Sequence, residues 1–125
     1  MVDDEAGTAS LLMPGVLWIT IVIAIVLIDV GGYLVAAARA QTLADSAALA
    51  AASASHPSER TDPTRAARQV VETGGGRMES CRCRRRMPGV TVEVSVEVPG
   101  VMVPALGATR VRATASAVLT QPHPE

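Results

Sequence analysis

Hydrophobic residues recur along this chain in three different rhythms. From Leu11 to Ile28 the sequence reads LLMPGVLWITIVIAIVLI, an uncharged run of 18 residues that spans about 27 Å at the α-helical rise, close to the thickness of a bilayer core. The run is apolar on every side, and nothing else in the chain could wrap such a helix, so it is predicted to cross a membrane. Pro14 and Gly15 are expected in its first turn, where a missing N–H costs little. Past Asp29, the residues Val30 to Val35 restore an apolar character. This closes a transmembrane segment at 11–35 behind an N-terminal flank, 1–10. Gly31 and Gly32 lack the four-residue spacing of a helix-dimer motif.

The second rhythm is that of an amphipathic helix. Ala36 to Ala54 is dense in the strongest helix former, with no Gly or Pro before Pro57, so the membrane helix should continue outward as an extramembrane stretch, 36–56. Helix from Leu11 to Ala54 would measure roughly 65 Å. Leu43, Ala47, Ala50 and Ala54 fall on one stripe, with Arg39, Thr42, Asp45, Ser46 and Ser53 largely elsewhere, and small residues on that stripe suit close packing against a partner helix. The polar turn HPSERTD then leads to Asp62-Pro63, an N-cap followed by proline at the first helical position. A short helix, Pro63 to Thr73, should end at Gly74-Gly75-Gly76 and present Ala66, Ala67, Val70 and Val71 as its apolar face.

The third rhythm has a period of two. Val90 to Val98, VTVEVSVEV, places Val at every even position with Thr91, Glu93, Ser95 and Glu97 between them, which predicts a half-buried strand with the valines inward. Thr109 to Leu119 alternates likewise, with Val111, Ala113, Ala115, Ala117 and Leu119 on one face and Arg110, Arg112, Thr114 and Ser116 on the other. Set antiparallel to the first, it would bring arginines to Glu93 and Glu97. Arg77 to Arg85 is a third strand, turning through Met87-Pro88-Gly89. Pro99 to Ala108 is an apolar connection, folded back on the sheet or in contact with a bilayer or partner. The tail 120–125 is expected to be disordered. The fold class is α+β: a long N-terminal helix, then a small domain over 57–119 with a short helix and an antiparallel sheet.

Composition limits what such a domain can be. Of 125 residues, roughly 85 remain outside the anchor, enough for only a thin core; there is no Phe, and Trp18 and Tyr33 both lie in the apolar segment. All 11 positive charges are Arg, and all lie from Arg39 onward. Cys81 and Cys83 are too few for a disulfide scaffold and lack the spacing of zinc or thioredoxin-type motifs. Two residues apart on a strand, their side chains would be separated by roughly 6.5–7 Å, so an internal bond would require the strand to break. Free thiols or an intermolecular bridge are expected.

No nucleophile is paired with a base: His56 lies in a Pro-Ser turn and His123 in the tail. No phosphate loop, dinucleotide fingerprint or metal-ligand cluster is present, so the sequence argues against an enzyme and calls for no cofactor, metal or small-molecule substrate. Arg82, Arg84, Arg85 and Arg86 form the one local concentration of charge. Without stacking aromatics they make a poor nucleic-acid site. They read as a solvated strand end or as a contact for an anionic polymer or lipid. Asp29, near the end of the apolar run, reads as a carboxylate reaching headgroups or as a polar contact to a neighbouring helix.

Taken in order, GTASLLMPGVLW, then IDVGGYLVAAARAQTLADSAALAAA, then a short helix and Val-alternating strands resemble the TadE/TadG-like pilus-assembly family over Gly7 to Leu119. The most specific stretch runs from Asp29 through Arg39, Ala40, Gln41, Ala44, Asp45, Ala47, Ala48, Leu49 and Ala50. The resemblance implies a pseudopilin-like, non-enzymatic component of Flp-type pilus or secretion machinery. It would be held in the cell membrane by a single pass, its partners being the lipid bilayer and, through the long helix, other pilus or secretion-system subunits. Processed members resemble a Gly followed five residues on by Glu; here Leu12 stands in that place after Gly7. Some related sequences carry a cysteine where this chain has Thr64, which leaves Cys81 without that partner.

Two sequence signals compete with this topology. Ala38-Arg39-Ala40 has the small-x-small form of a signal-peptide cleavage site, but the flank is acidic and the apolar segment is longer than such peptides carry. A positive-inside count would place the C-terminal domain in the cytoplasm on the strength of Arg39 alone. The resemblance places it outside, and it rests on many more residues. The alternative function is a single-pass, membrane-tethered module that uses its Arg-rich turn to bind an anionic polymer or lipid.

Overall fold

The computed structural model describes residues 3–84, 88–98 and 110–120. Arg85, Arg86, Met87, the apolar connection Pro99 to Ala108 and the tail from Gln121 lie outside the described residues. The elements run α1 (Asp3–Ala54), α2 (Pro63–Thr73), β1 (Arg77–Arg82), β2 (Gly89–Glu97) and β3 (Arg110–Val118). The architecture is the α+β arrangement expected from the hydrophobic pattern.

α1 is one unbroken helix of 52 residues, long and apolar enough to cross a membrane. It begins at Asp3, so Pro14 is inside the helix rather than in its first turn. Proline is tolerated in a first turn but does not require a helix to begin there, so it marks no fixed start. Pro14 then forfeits one backbone hydrogen bond, a cost that membrane-spanning helices tolerate. Thr20 hides its hydroxyl by donating to the Val16 carbonyl at 2.9 Å. The large side chains from Leu11 to Val35, Trp18 and Tyr33 among them, are exposed, except for the half-buried Ile25. The helix passes through Ala38–Ala40 without interruption.

At Ala36 the helix enters the domain. Ala36, Ala40, Ala44, Ala47, Ala48, Ala51 and Ala52 are buried, a face of methyl groups that lets β2, β3 and α2 approach the helix closely. The opposing layer is Val90, Val92, Val94 and Val96 from β2, with Ala67 and Val71 of α2 and Ala115 of β3 in the same cluster. The expected inward valines are all buried, Val98 included. Each fully buried Val contributes about 1.5–3 kcal/mol. No aromatic side chain belongs to this core.

α2 has the predicted bounds and buries Pro63, Ala67 and Val71, with Ala66 and Val70 half-buried. Asp62 occupies the N-cap position with extended backbone, but its side chain makes no capping bond; the cap is formed by the backbone, with Ala66 N–H donating to the Asp62 carbonyl at 3.0 Å. The other end is a Schellman closure. Gly75 is left-handed at φ 80°, Gly75 N–H donates to Glu72 and Gly76 N–H to Val71. Leu43 of α1 fills the space over this turn: a Cβ on Gly76 would lie 3.0 Å from Leu43 Cδ1 and 3.3 Å from the Ser95 carbonyl.

The sheet is antiparallel in the order β1-β2-β3. β1 is shorter than the expected Arg77 to Arg85 strand, ending at Arg82. Its register slips between Met78, opposite Val94, and Ser80, opposite Glu93. Glu79 is the extra residue of this bulge, which is why the half-buried residues Met78 and Cys81 lie three apart rather than two. β3 pairs with β2 along its whole length, from Gly89 opposite Val118 to Glu97 opposite Arg110.

Candidate functional site

The exposed side of β2 is less uniform than its alternation suggests. Ser95 has no accessible surface because residues from both neighbouring strands close over it. Its hydroxyl donates to Glu79 Oε1 at 2.5 Å and accepts from Arg110 Nε and Nη2 at 3.3 and 3.2 Å. A carboxylate from β1, a hydroxyl from β2 and a guanidinium from β3 thus form one polar latch across the sheet. The Glu79 carboxyl is held below its ordinary range, first by the Ser95 hydrogen bond and then by Arg112, Arg77 and Arg110, with partial desolvation opposing. Sequence reasoning placed Ser95 among the outward polar residues and gave Glu79 no role. The bulge that aims Glu79 at Ser95 is a property of the β1 register, which alternation within one strand does not reveal.

The cross-strand charge pairing expected of the arginines takes a different form. Arg110 lies opposite Glu97 but directs its guanidinium to Ser95, and Arg112, opposite Ser95, reaches Glu93 diagonally at 3.8 Å. Arg112 is largely exposed, so the ion pair contributes about 0–1 kcal/mol. Farther along the same face, Thr91 and Ser116 share a hydrogen bond at 3.1 Å.

The helix stripe is occupied from within the chain. Ala47 and Ala54 are buried, Leu43 packs on the Ala–Val core and on the α2 closure, and Ala50 is half-buried. The described packing on this stripe comes from the protein's own sheet and short helix. The buried face is centred on Ala40, Ala44, Ala47, Ala48 and Ala51, with Leu43 and Ala50 at its margin. Asp29 is half-buried on α1, in line with Ile25, Gly32 and Ala36.

Cys81 and Cys83 form a disulfide with a Cα–Cα separation of 5.3 Å, which overturns the expectation of free thiols or an intermolecular bridge. The extended geometry behind that expectation ends at Arg82, where β1 stops. The chain bends between the two cysteines and brings their Cα atoms within disulfide range. Arg82, between the two bonded cysteines, and Arg84, just after them, are exposed; they are not drawn together with Asp29 or with the helix stripe. Among the described residues no group of three or more His, Cys, Asp and Glu side chains could hold a metal ion. His56 Nδ1 and Ser58 Oγ lie 2.7 Å apart in the exposed turn after α1, and Ser58 N–H also donates to Nδ1, a local turn contact rather than a catalytic pair.

Residues 7–54 match the family described as putative Flp pilus-assembly TadE/G-like. No curated protein and no solved structure matches the chain. The resemblance read through to Leu119 is thereby matched over the long helix alone, with α2 and the sheet outside the matched residues. The matched segment is similar to that family along α1 alone, from Gly7 to the helix's last residue.

Proposed function

We propose that this protein is a non-enzymatic, pseudopilin-like component of a Flp-type pilus-assembly or secretion machinery, anchored by a single membrane pass with its α+β domain outside the cytoplasm. One observation carries the reading. The pilus-assembly match coincides with a helix whose half from Ser10 to Val35 is mostly apolar and exposed, while its other half is committed to a folded domain. Such a helix needs lipid or the helices of neighbouring subunits around it, because exposed apolar area on this scale is not left in water. The sheet supplies the outer surface, on which Glu93, Glu97, Arg112, Thr114 and Ser116 are available to other assembly components.

The test is topological. A reporter active only outside the cytoplasm, fused after Glu125, should be on, and one active only in the cytoplasm should be off. Activity of the cytoplasmic reporter alone would overturn both the topology and the pilus-assembly role. The second reading, a tethered module binding an anionic polymer or lipid through Arg82, Arg84, Arg85 and Arg86, draws on the exposure of Arg82 and Arg84. It requires salt-sensitive binding that is lost when Arg84, Arg85 and Arg86 become Ala.

A further inference from the structure

The junction between the apolar half of α1 and the domain contains no spacer. Val35 is exposed and Ala36, the next residue in the same helix, is buried against Val98 and Val111. The end of the sheet where β2 finishes and β3 begins is therefore level with the last residue of the apolar segment. Arg39, four residues on, stands about 6 Å above that level. Its guanidinium donates to the Gly74 carbonyl at 2.7 Å, so the turn closing α2 is held at the same height. A headgroup layer is about 5–7 Å deep on each side of the hydrocarbon core.

We propose that this end of the domain, bearing Arg39, the Gly74–Gly76 turn, Glu97 and Arg110, is seated in the lipid headgroup layer, so that the domain is docked on the bilayer rather than tethered above it. The inference rests on the membrane-spanning reading of α1. The groups at this level are guanidinium groups, which bind phosphate, with exposed carboxylates at Glu97 and, beside the turn, at Glu72. The opposite end of the sheet is carried away from the membrane. Arg82 pairs with Thr91, and the seven steps from Thr91 to Val98 extend about 23 Å. The Cys81–Cys83 bond and Arg84 thus project outward, beyond reach of the bilayer that anchors the chain.

Trp18 is the protein's one tryptophan, which makes fluorescence quenching a direct depth measurement. The full chain is reconstituted into phosphatidylcholine–phosphatidylglycerol vesicles brominated near the headgroup end of the acyl chains. Unaltered protein reports on the span through Trp18. Three single-tryptophan chains on a Trp18→Phe background, Glu97→Trp, Thr114→Trp and Arg84→Trp, report on the near end, the middle and the far end of the sheet. Glu97→Trp should lose most of its emission, Thr114→Trp little and Arg84→Trp none. Quenching of Trp18 without quenching of Glu97→Trp would overturn the docking while leaving the span intact. Stronger quenching of Arg84→Trp than of Glu97→Trp would invert the proposed orientation and overturn it too. An unquenched Trp18 would remove the span and the docking together.

Discussion

Arg39 of α1 donates from Nη2 to the carbonyl of Gly74 at 2.7 Å, across 35 residues of sequence. The contact joins the long helix to the C-terminal end of α2, where the carbonyls are unsatisfied and the helix dipole is negative. Because the guanidinium is exposed, Arg39→Ala should cost no more than about 1 kcal/mol, with Arg39→Lys recovering part of it. Hydrogen exchange at Gly75 and Gly76 in the full chain checks this, since those amides close the turn; unchanged protection in Arg39→Ala would show that the contact contributes nothing.

Val94 and Thr91 lie on opposite faces of β2. Val94→Asp places a carboxylate where no surface is accessible, at a cost of several kcal/mol that a thin core cannot absorb. The variant should be cleaved by protease under conditions where the parent resists, and Thr91→Asp should behave almost as the parent. Equal sensitivity of the two would mean that the strand has the other face inward.

The latch on Ser95 makes stability depend on pH. The folded-state pKa of Glu79 is lowered from 4.5, so the unfolded chain binds its proton first as pH falls. The contribution is fully present above about pH 4.5 and declines as pH drops through the folded value. Glu79→Gln should flatten that acid limb in unfolding midpoints recorded between neutral and acid pH, and Ser95→Ala should flatten it in part. An acid limb identical in all three proteins would remove Glu79 as its source.

Oxidised protein should have an intact mass two hydrogens below the reduced value, and without reductant it should take up no alkylating reagent. A three-residue loop confines the unfolded chain little, so replacing both cysteines with Ser should cost at most about 2 kcal/mol. Detection of a disulfide-linked dimer with no internally bridged monomer would contradict the pairing of Cys81 with Cys83.

How far the sequence revealed this structure depended on whether a feature was local. The inward valines of β2, the bounds of α2 and its glycine closure follow from alternation, proline position and left-handed backbone, each confined to a few neighbouring residues. The start of α1 lies upstream of the first turn that Pro14 signals, because proline marks where a helix can begin and not where it must. The bulge at Glu79, the burial of Ser95 and the bend that joins Cys81 to Cys83 all arise from how β1 sits on β2, and pairing register is not written in either strand alone. The Leu43–Ala54 stripe was legible as a packing face, but the choice between the protein's own sheet and another subunit is tertiary. The depth of the Ala–Val core, with its smallest side chains on the helix, was legible only as an absence of Phe.

The unbroken helix from span to domain makes the junction behave as a rigid axle. Each residue advances an α-helix by about 100° and 1.5 Å, so one residue inserted between Val35 and Ala36 would swing the whole domain about a quarter-turn around the membrane normal while lifting it hardly at all. Two would carry it to the far side of the axle, three would leave it about 60° short of its original bearing, and four would take it about 40° past that bearing, one turn higher. The compass direction in which the sheet faces its surroundings is therefore set by residue count in the helix, with no loop to absorb an error.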